Sequence, residues 1–353
     1  MLPTWVGDAC LATPCLRALR AAFPHARIVG VMRPVIRELL HGAWGAGPAW
    51  FDDYVLFNKR PLPGVNSRWQ LAAALRPQRL DVMILLTNSW WSAVVAKRGG
   101  ARRIVGYDRD ARRWLLSDPL PVPRDGRRLR PISPIDYYLQ LVEWLGADAH
   151  DRRMQLHVDP DDAQRGHALW EQLGFSQQRP TVVINCGAAT LATRLWPLAK
   201  VQELAVRAAE QWECQVLLHC GPAERESMNQ IAAAAAHPRV ASMGAAAQLP
   251  LGLSKAVMQR AAVVVSTDSG PRHMAVALDR PVVTLYGPTD PKWTTTYNRT
   301  ELPVAIPLAC RPCYRSPCPL KHHRCMHDIS VDQVLAAIAQ HHPLGRVPTP
   351  QLV

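Results

Sequence analysis

Short apolar runs alternate along this chain with stretches whose apolar positions recur every three or four residues. That is the pattern of parallel strands joined by helices. In the first half, strands are expected at 26–31, 53–57, 80–87 and 102–106, with helices near 14–22, 34–41, 67–76, 90–97 and 134–146. The second half repeats the pattern more cleanly. Strands are expected at 181–186, 215–220, 239–243, 261–266 and 281–286, and helices at 199–212, 224–236, 252–260 and 271–278. A polar stretch, ADAHDRRMQLHVDPDDAQRG, separates the halves, and Val331 to Gln340 reads as a terminal helix. The chain of 353 residues is long for one core. The expected organisation is an N-terminal domain over 1–155, a second over 156–328, and a helix and tail over 329–353 returning to the first. The fold class is α/β, with two Rossmann-like doubly wound domains facing across a cleft. Open sheets of this kind bind ligands beyond the carboxyl ends of their strands, so the chemistry belongs in the loops that follow strands.

The most informative loops are in VVVSTDSGPRHMAVALDRPVVTLYGPTDPKWT, residues 263–294. A β-branched strand ends at Ser266, Thr267-Asp268-Ser269-Gly270 forms the loop, and Pro271 sits where a helix starts. The free amides of such a helix N-terminus suit an anion, and Gly270 permits close backbone approach to a phosphate. Asp268 is out of place beside a phosphate, so a ligand hydroxyl or a loop amide is its expected partner. His273, one turn in, is expected to donate to phosphate. A second turn, Gly287-Pro288-Thr289-Asp290-Pro291, follows the next strand. Either loop alone is ordinary turn chemistry; two after consecutive strands point to a diphosphate site.

At the start of the chain, MLPTWVGDACLATPCLRALR reads as a loop running into a helix. Thr13-Pro14 supplies an N-cap and first helical residue, which leaves the acid Asp8 without a structural duty.

Charge and cysteine content add two questions. Lys and Arg number 41 against 28 Asp and Glu, a net charge of +13. Between Lys97 and Arg130 eleven residues are basic and four are Asp. This window suits an anionic partner (phospholipid headgroups, a phosphorylated glycan or nucleic acid), or it is a solvated Arg-rich surface. No nucleic-acid motif accompanies it. Of nine cysteines, Cys10, Cys15, Cys186, Cys214 and Cys220 sit in apolar contexts and read as buried thiols of a reducing compartment. The others lie in CRPCYRSPCPLKHHRC. There Cys310, Cys313, Cys318 and Cys325 have spacings that suit a tetrahedral zinc, with uncommitted thiols under a proline-rich loop as the favoured alternative. No apolar run reaches the roughly 18 residues of a membrane span, and the first twenty residues lack the layout of a secretory signal. A cytoplasmic location is expected.

The stretch STDSGPRHMAVALDRPVVTLYGPTDP closely resembles the signature of glycosyltransferase family 9, the ADP-heptose:lipopolysaccharide heptosyltransferases. LPTWVGDACLATPCLRALR and GAATLATRLWPLAKVQELA (187–205) resemble that family's other motifs, so the resemblance runs from residue 2 to about 340. It implies a GT-B fold, with the acceptor in the N-terminal domain and the nucleotide-sugar in the C-terminal one. It also implies metal-independent transfer with inversion, requiring no cofactor beyond the donor, ADP-heptose.

On this resemblance Asp8 is the expected general base, with Gly7 and Thr13 beside it in acceptor binding. Arg194, standing where the family usually carries Lys before Trp-Pro, is expected on the leaving diphosphate. Glu224 in CGPAERE resembles the acid that meets the ribose hydroxyls, with Glu226 its competitor. Thr267, Asp268, Ser269, Gly270, His273, Gly287, Thr289 and Asp290 complete the nucleotide-sugar set. The cysteine-rich segment resembles the corresponding region of heptosyltransferase II, which implies addition of the second core heptose onto the first. Alternatives are a family 9 transferase with another acceptor, protein or surface glycan, and a catalytically silent nucleotide-sugar-binding protein. The implied acceptor, the lipopolysaccharide inner core, brings peripheral contact with the anionic inner face of the inner membrane; no nucleic-acid partner is expected. Family members place a short apolar strand before the Leu-Pro at which this chain opens. The first strand of the first sheet is therefore expected to be absent, from a late start or a shortened chain, and a longer form to be more stable.

Overall fold

The computed structural model describes residues 1–341 apart from 43, 46, 60, 61 and 188–191. Two compact units divide the chain. Met1–His157 with Lys292–Tyr297 forms one, and Val158–Pro291 with the residues from Asn298 on forms the other.

The first unit holds two three-stranded parallel sheets, β1 (Val29–Met32), β2 (Asp53–Asn58) and β3 (Asn66–Ser67), then β4 (Val82–Ile84), β5 (Arg103–Tyr107) and β6 (Asp118–Leu120). A small antiparallel ribbon, β7 (Arg124–Asp125) with β8 (Arg128–Leu129), stands apart. Between β1 and β4 runs a two-residue link. Leu2 N–H donates to Val31 O at 3.0 Å, Leu86 N–H donates to Met1 O at 3.1 Å, and the Met1 amine donates to Ile84 O at 2.6 Å. Met1 and Leu2 thus lie where a central strand of one continuous sheet would run. An open volume of about 600 Å³ follows the same line, walled by Leu16, Leu19, Phe23, Val29, Phe51 and Met83. Packing of Val31, Val55, Leu71, Leu85, Val95 and Ile104 forms the core beside it.

The opening segment is helical rather than a loop. Val6–Leu11 makes a short helix, Ala12 turns the chain, and Thr13–Ala22 continues it. Thr13 does not cap: its hydroxyl donates to Cys10 O at 2.7 Å and accepts from Gln155 N at 3.1 Å, fully buried.

The second unit is a six-stranded parallel sheet in the order β11-β10-β9-β12-β13-β14. Its strands are β9 (Thr181–Asn185), β10 (Gln215–Leu218), β11 (Val240–Ser242), β12 (Val263–Thr267), β13 (Val282–Tyr286) and β14 (Glu301–Ala305). Its four interior strands β10, β9, β12 and β13 are buried at every position, as strands covered on both faces must be. The strand order reverses between β9 and β12, the switch point where such sheets bind ligands. Sequence pattern misses two elements here. The helix Pro160–Gln172 is capped by Asp159, whose side chain accepts from Asp161 N, and anchored by buried Leu169 and Trp170. β14 carries Pro303, tolerated because this strand pairs on one side only. The terminal helix Val331–His341 packs within the second unit, burying Val334, Leu335 and Ile338. The late segment that belongs to the first unit is Lys292–Tyr297.

Candidate active site

β12 ends at Thr267, Asp268 and Ser269 turn the chain, and the helix Gly270–Ala277 begins at the sheet's carboxyl edge with Pro271 in its first turn. Asp268 is buried, and its expected partner, a ligand hydroxyl or loop amide, gives way on one oxygen to Arg272. Arg272 Nη1 donates to Asp268 Oδ1 at 2.9 Å, the i,i+4 pairing of one helical turn. Arg272 also donates through Nε to Glu301 Oε1 at 2.5 Å, and Thr284 Oγ1 donates to the same oxygen at 2.7 Å. Burial works against the Asp268 charge, yet the surrounding cations, Arg272 foremost, hold its carboxyl below the usual range.

Arg194 approaches from the other side. Its Nη1 donates to the Asp268 carbonyl at 2.5 Å and stands 4.0 Å from Oδ2. His273 is buried, and that burial, with Arg272 next to it, pulls its imidazole down to about 3. It is therefore neutral at physiological pH and meets an anion only through a neutral N–H. His273 Nδ1 and Arg194 Nε are buried without a hydrogen-bond partner, and the buried Thr289 hydroxyl faces the Asp268 carboxylate, whose Oδ2 has no closer hydrogen-bond donor. Such groups are rare in a folded protein unless a ligand or water completes them, and here several share one end of one sheet.

The turn after β13 is braced from behind. An added Cβ on Gly287 would stand 2.4 Å from Met326 Sδ, so a side chain there would force Met326 to move. Arg311 Nε donates to Gly287 O at 2.5 Å, while Cys313 N and Tyr314 N donate to Pro288 O at 3.1 and 3.0 Å. The cysteine-rich segment thus shapes the Gly287–Asp290 turn through its backbone and Arg311. After β10, Glu224 accepts from Gly221 N at 3.1 Å and lies so close to Gly187 that a Cβ there would meet Oε1 at 2.1 Å. Glu226 is exposed and accepts from Gln230 Nε2 at 2.8 Å, so Glu224 is the acid at the strand ends. Residues 188–191 of the GAATLATRLWP motif lie outside the described residues.

In the first unit, Asp8 occupies the first turn of the helix Val6–Leu11, next to Gly7. Its carboxylate makes no hydrogen bond or ion pair among the described residues, and burial pushes it above the ordinary carboxylate range. Burial without a partner makes its charge costly and favours the protonated form.

The model of glycosyltransferase family 9 (heptosyltransferase) matches residues 68–324, well over half the chain. The chain belongs to glycosyltransferase family 9. It is a transferase by that membership. Lipopolysaccharide heptosyltransferase 1 of Pseudomonas aeruginosa is 29% identical, the alignment covering 94% of this chain and 90% of the relative. Lipopolysaccharide heptosyltransferase 2 of Escherichia coli is 26% identical over 94% of each. Among solved structures, E. coli ADP-heptose LPS heptosyltransferase II superposes with a TM-score of 0.74 at 24% identity, over 97% of both chains. E. coli heptosyltransferase WaaC with ADP-2-deoxy-2-fluoro heptose gives 0.68 at 19%, over 96% of this chain and 97% of the other. The fold is therefore the GT-B fold of these transferases.

Cys310, Cys313 and Cys318 are half-buried, Cys325 is buried, and none is in a disulfide. Among the described residues no three His, Cys, Asp or Glu side chains are placed to share a metal ion. Reading by motif also passed over Arg272 and Glu301. Arg272 was within reach, four residues after Asp268; Glu301 was not, because its strand was not legible.

Proposed function

We propose that this family 9 transferase moves heptose from ADP-heptose onto the lipopolysaccharide inner core, adding the second heptose to the first with inversion. The reading rests most on the cluster of buried, unpartnered polar atoms at the carboxyl end of the β12 loop and its neighbours. In it, the diphosphate lies against Arg194, the amides of Ser269 and Gly270, and the Thr289 hydroxyl, while Glu224 accepts from the ribose hydroxyls. Asp8 takes the proton from the acceptor hydroxyl. The freed oxygen attacks the anomeric carbon from the face opposite the diphosphate, the carbon–oxygen bond to phosphate breaks, and ADP leaves with the electron pair. Arg194 and the helix amides meet the growing charge on the leaving group, so this scheme assigns no step to a metal. Asp268, tied to Arg272 and Arg194, supports the loop rather than the phosphate.

Incubation of the purified protein with ADP-heptose and defined core acceptors, read by mass spectrometry, tests this. One heptose should be added to an acceptor already bearing one. A second reading, addition at the other core position, is favoured by the 29% identity to P. aeruginosa heptosyltransferase 1. Turnover confined to heptose-free acceptor would establish it. Donor bound but never transferred would leave a silent binding protein.

A further inference from the structure

Arg112, in the first unit, is a cation that folding buries without an acid against it. It is fully buried, and among the described residues no carboxylate stands within ion-pair distance of it. The acids nearby are engaged elsewhere. Asp108 meets Arg113 at 2.9 Å and Asp110 faces Arg109 at 3.7 Å, so Asp110 reaches Arg112 only at longer range. Three arginines thus stand with two aspartates over Asp108–Arg113, and the charge left over is the buried one. Buried charges are ordinarily paired, because burial of a lone one is costly. Here the donors all go to neutral oxygens. Nε donates to Tyr107 O at 3.1 Å, and Nη1 to Thr87 O at 2.6 Å, Ser89 O at 3.3 Å and Ser92 Oγ at 3.1 Å. Nη2 donates to Asn88 Oδ1 at 3.3 Å. Arg112 therefore clamps the loop between β4 and the helix Trp90–Arg98.

Asn88 carries this clamp to the surface. A guanidinium only donates, so the Asn88 atom that faces it is the oxygen. The Tyr137 hydroxyl donates to the same oxygen at 3.1 Å, its ring stacked on Tyr107 with centroids 3.7 Å apart. With Oδ1 held from two sides, Nδ2 is turned away from both, and it donates to nothing among the described residues. Asn88 is half-buried, so this oriented amide is open to a ligand. It lies at the same edge of the unit as Asp8. The Met1 amine donates to Ile84 O and Leu86 N–H to Met1 O, the bonding of a parallel pair, so the chain leaves Leu2 and Leu86 in one direction. Gly7 and Asp8 follow the first, and Asn88 follows the second. The helix Val6–Leu11, which carries Asp8, packs on the helix Pro134–Glu143, which carries Tyr137.

We propose that Asn88, oriented by Arg112 and Tyr137, positions the acceptor by donating from Nδ2 to one of its anionic oxygens, a carboxylate or a phosphate. This rests on the proposed reaction, with Asp8 as the base, and adds a group that holds the acceptor beside it. The amide gives direction. The guanidinium behind it polarises the carboxamide and attracts negative charge. A hydroxyl partner would need no buried cation at its back.

The test compares the full chain with Asn88→Ala and Asn88→Asp, using ADP-heptose and a lipid-free inner-core oligosaccharide. Asn88→Ala should raise the KM for the oligosaccharide by roughly ten-fold and leave the KM for ADP-heptose as it is. Asn88→Asp separates positioning from support of the loop. It places a carboxylate against Arg112, so its melting temperature should match or exceed the parent's, while repulsion of the anion should raise the acceptor KM beyond that of Asn88→Ala. A residue that only braced the loop would leave the acceptor KM of the Asp variant at the parent's value. Oligosaccharide with its carboxylates converted to amides, and oligosaccharide stripped of phosphate, tell the two oxygen sources apart: the Asn88→Ala penalty should disappear with one of them. A penalty that persists undiminished on both, an unchanged acceptor KM in either variant, or an Asp variant that melts below the parent would overturn the proposal. A parent that neither binds nor converts the oligosaccharide would defeat the proposed reaction and this inference with it, whereas a parent that converts it no better than its variants would defeat this inference alone.

Discussion

Asp8 is singled out at the residue scale by what it lacks. Most partly buried carboxylates are held by an Arg or by backbone amides, whereas this one has neither and its pKa is raised by burial. Replacement by Asn keeps the shape and removes the proton acceptor, so Asp8→Asn should lower kcat by about 10³-fold or more while ADP affinity stays the same. Isothermal titration with ADP beside the transfer assay separates the two effects, and full activity would remove Asp8 from the mechanism. Since a base works only when deprotonated, the acid limb of the rate profile should fall at a pH above the ordinary carboxylate range. Arg194 differs in kind, because its guanidinium is fixed on the Asp268 carbonyl at 2.5 Å. Arg194→Ala should cost about 10²–10³ in kcat. Arg194→Lys should recover part of that, since charge survives and fork geometry does not.

Elements differ in how far sequence alone reveals them. The central strands β9, β12 and β13 were legible because parallel strands covered on both faces read as unbroken Val, Ile and Leu. The loops after them were legible because Gly, Pro and Asp punctuate them. β14 was hidden by Pro303, and with it Glu301, which reaches Arg272 from 29 residues away in sequence. A partner at that distance leaves no local periodicity to detect. The opening helix Val6–Leu11 was hidden by Gly7 and Asp8, poor helix formers that its setting overrides. The buried Asp268–Arg272–Glu301 chain makes a prediction of its own. Removing one member leaves a buried cation under-compensated, so Glu301→Ala should destabilise the second unit by about 3 kcal/mol and weaken ADP binding as the Asp268 loop loosens. A denaturant midpoint matching the parent's would show that the network does not hold the loop. The gap between β1 and β4 supports an engineered test. A strand of five β-branched residues fused ahead of Met1 should enter it, pairing with both neighbours, and raise the melting temperature on the order of 5 °C. No change in melting temperature would mean that the gap does not accept a strand.

On the scale of the whole molecule, the groups that folding buries uncharged decide how stability depends on pH. Burial pulls the Met1 amine from 8.0 down to about 5, His219 from 6.5 to about 4, and His273 from 6.5 to about 3. In each case the unfolded chain holds a proton that the folded chain refuses. Between about pH 8 and pH 4 the unfolded state therefore binds more protons, and acidification favours it. On the alkaline side burial pushes the Cys214 and Cys220 thiols up to about 11 and Cys15 up to about 12. Above about pH 9 the folded state keeps thiol protons that the unfolded state loses, so stability falls again. Urea midpoints between pH 5 and 10 should thus trace a dome with its crest near pH 8. The amine can be separated from the histidines because their windows differ. Acetylating the N-terminus removes a charge that folding would have to strip, so the decline from pH 8 to 6.5 should flatten while the decline below 6.5 remains. An acetylated protein that loses stability over pH 8 to 6.5 as fast as the parent would mean that the Met1 amine stays hydrated, and that the link across β1 and β4 is open to water.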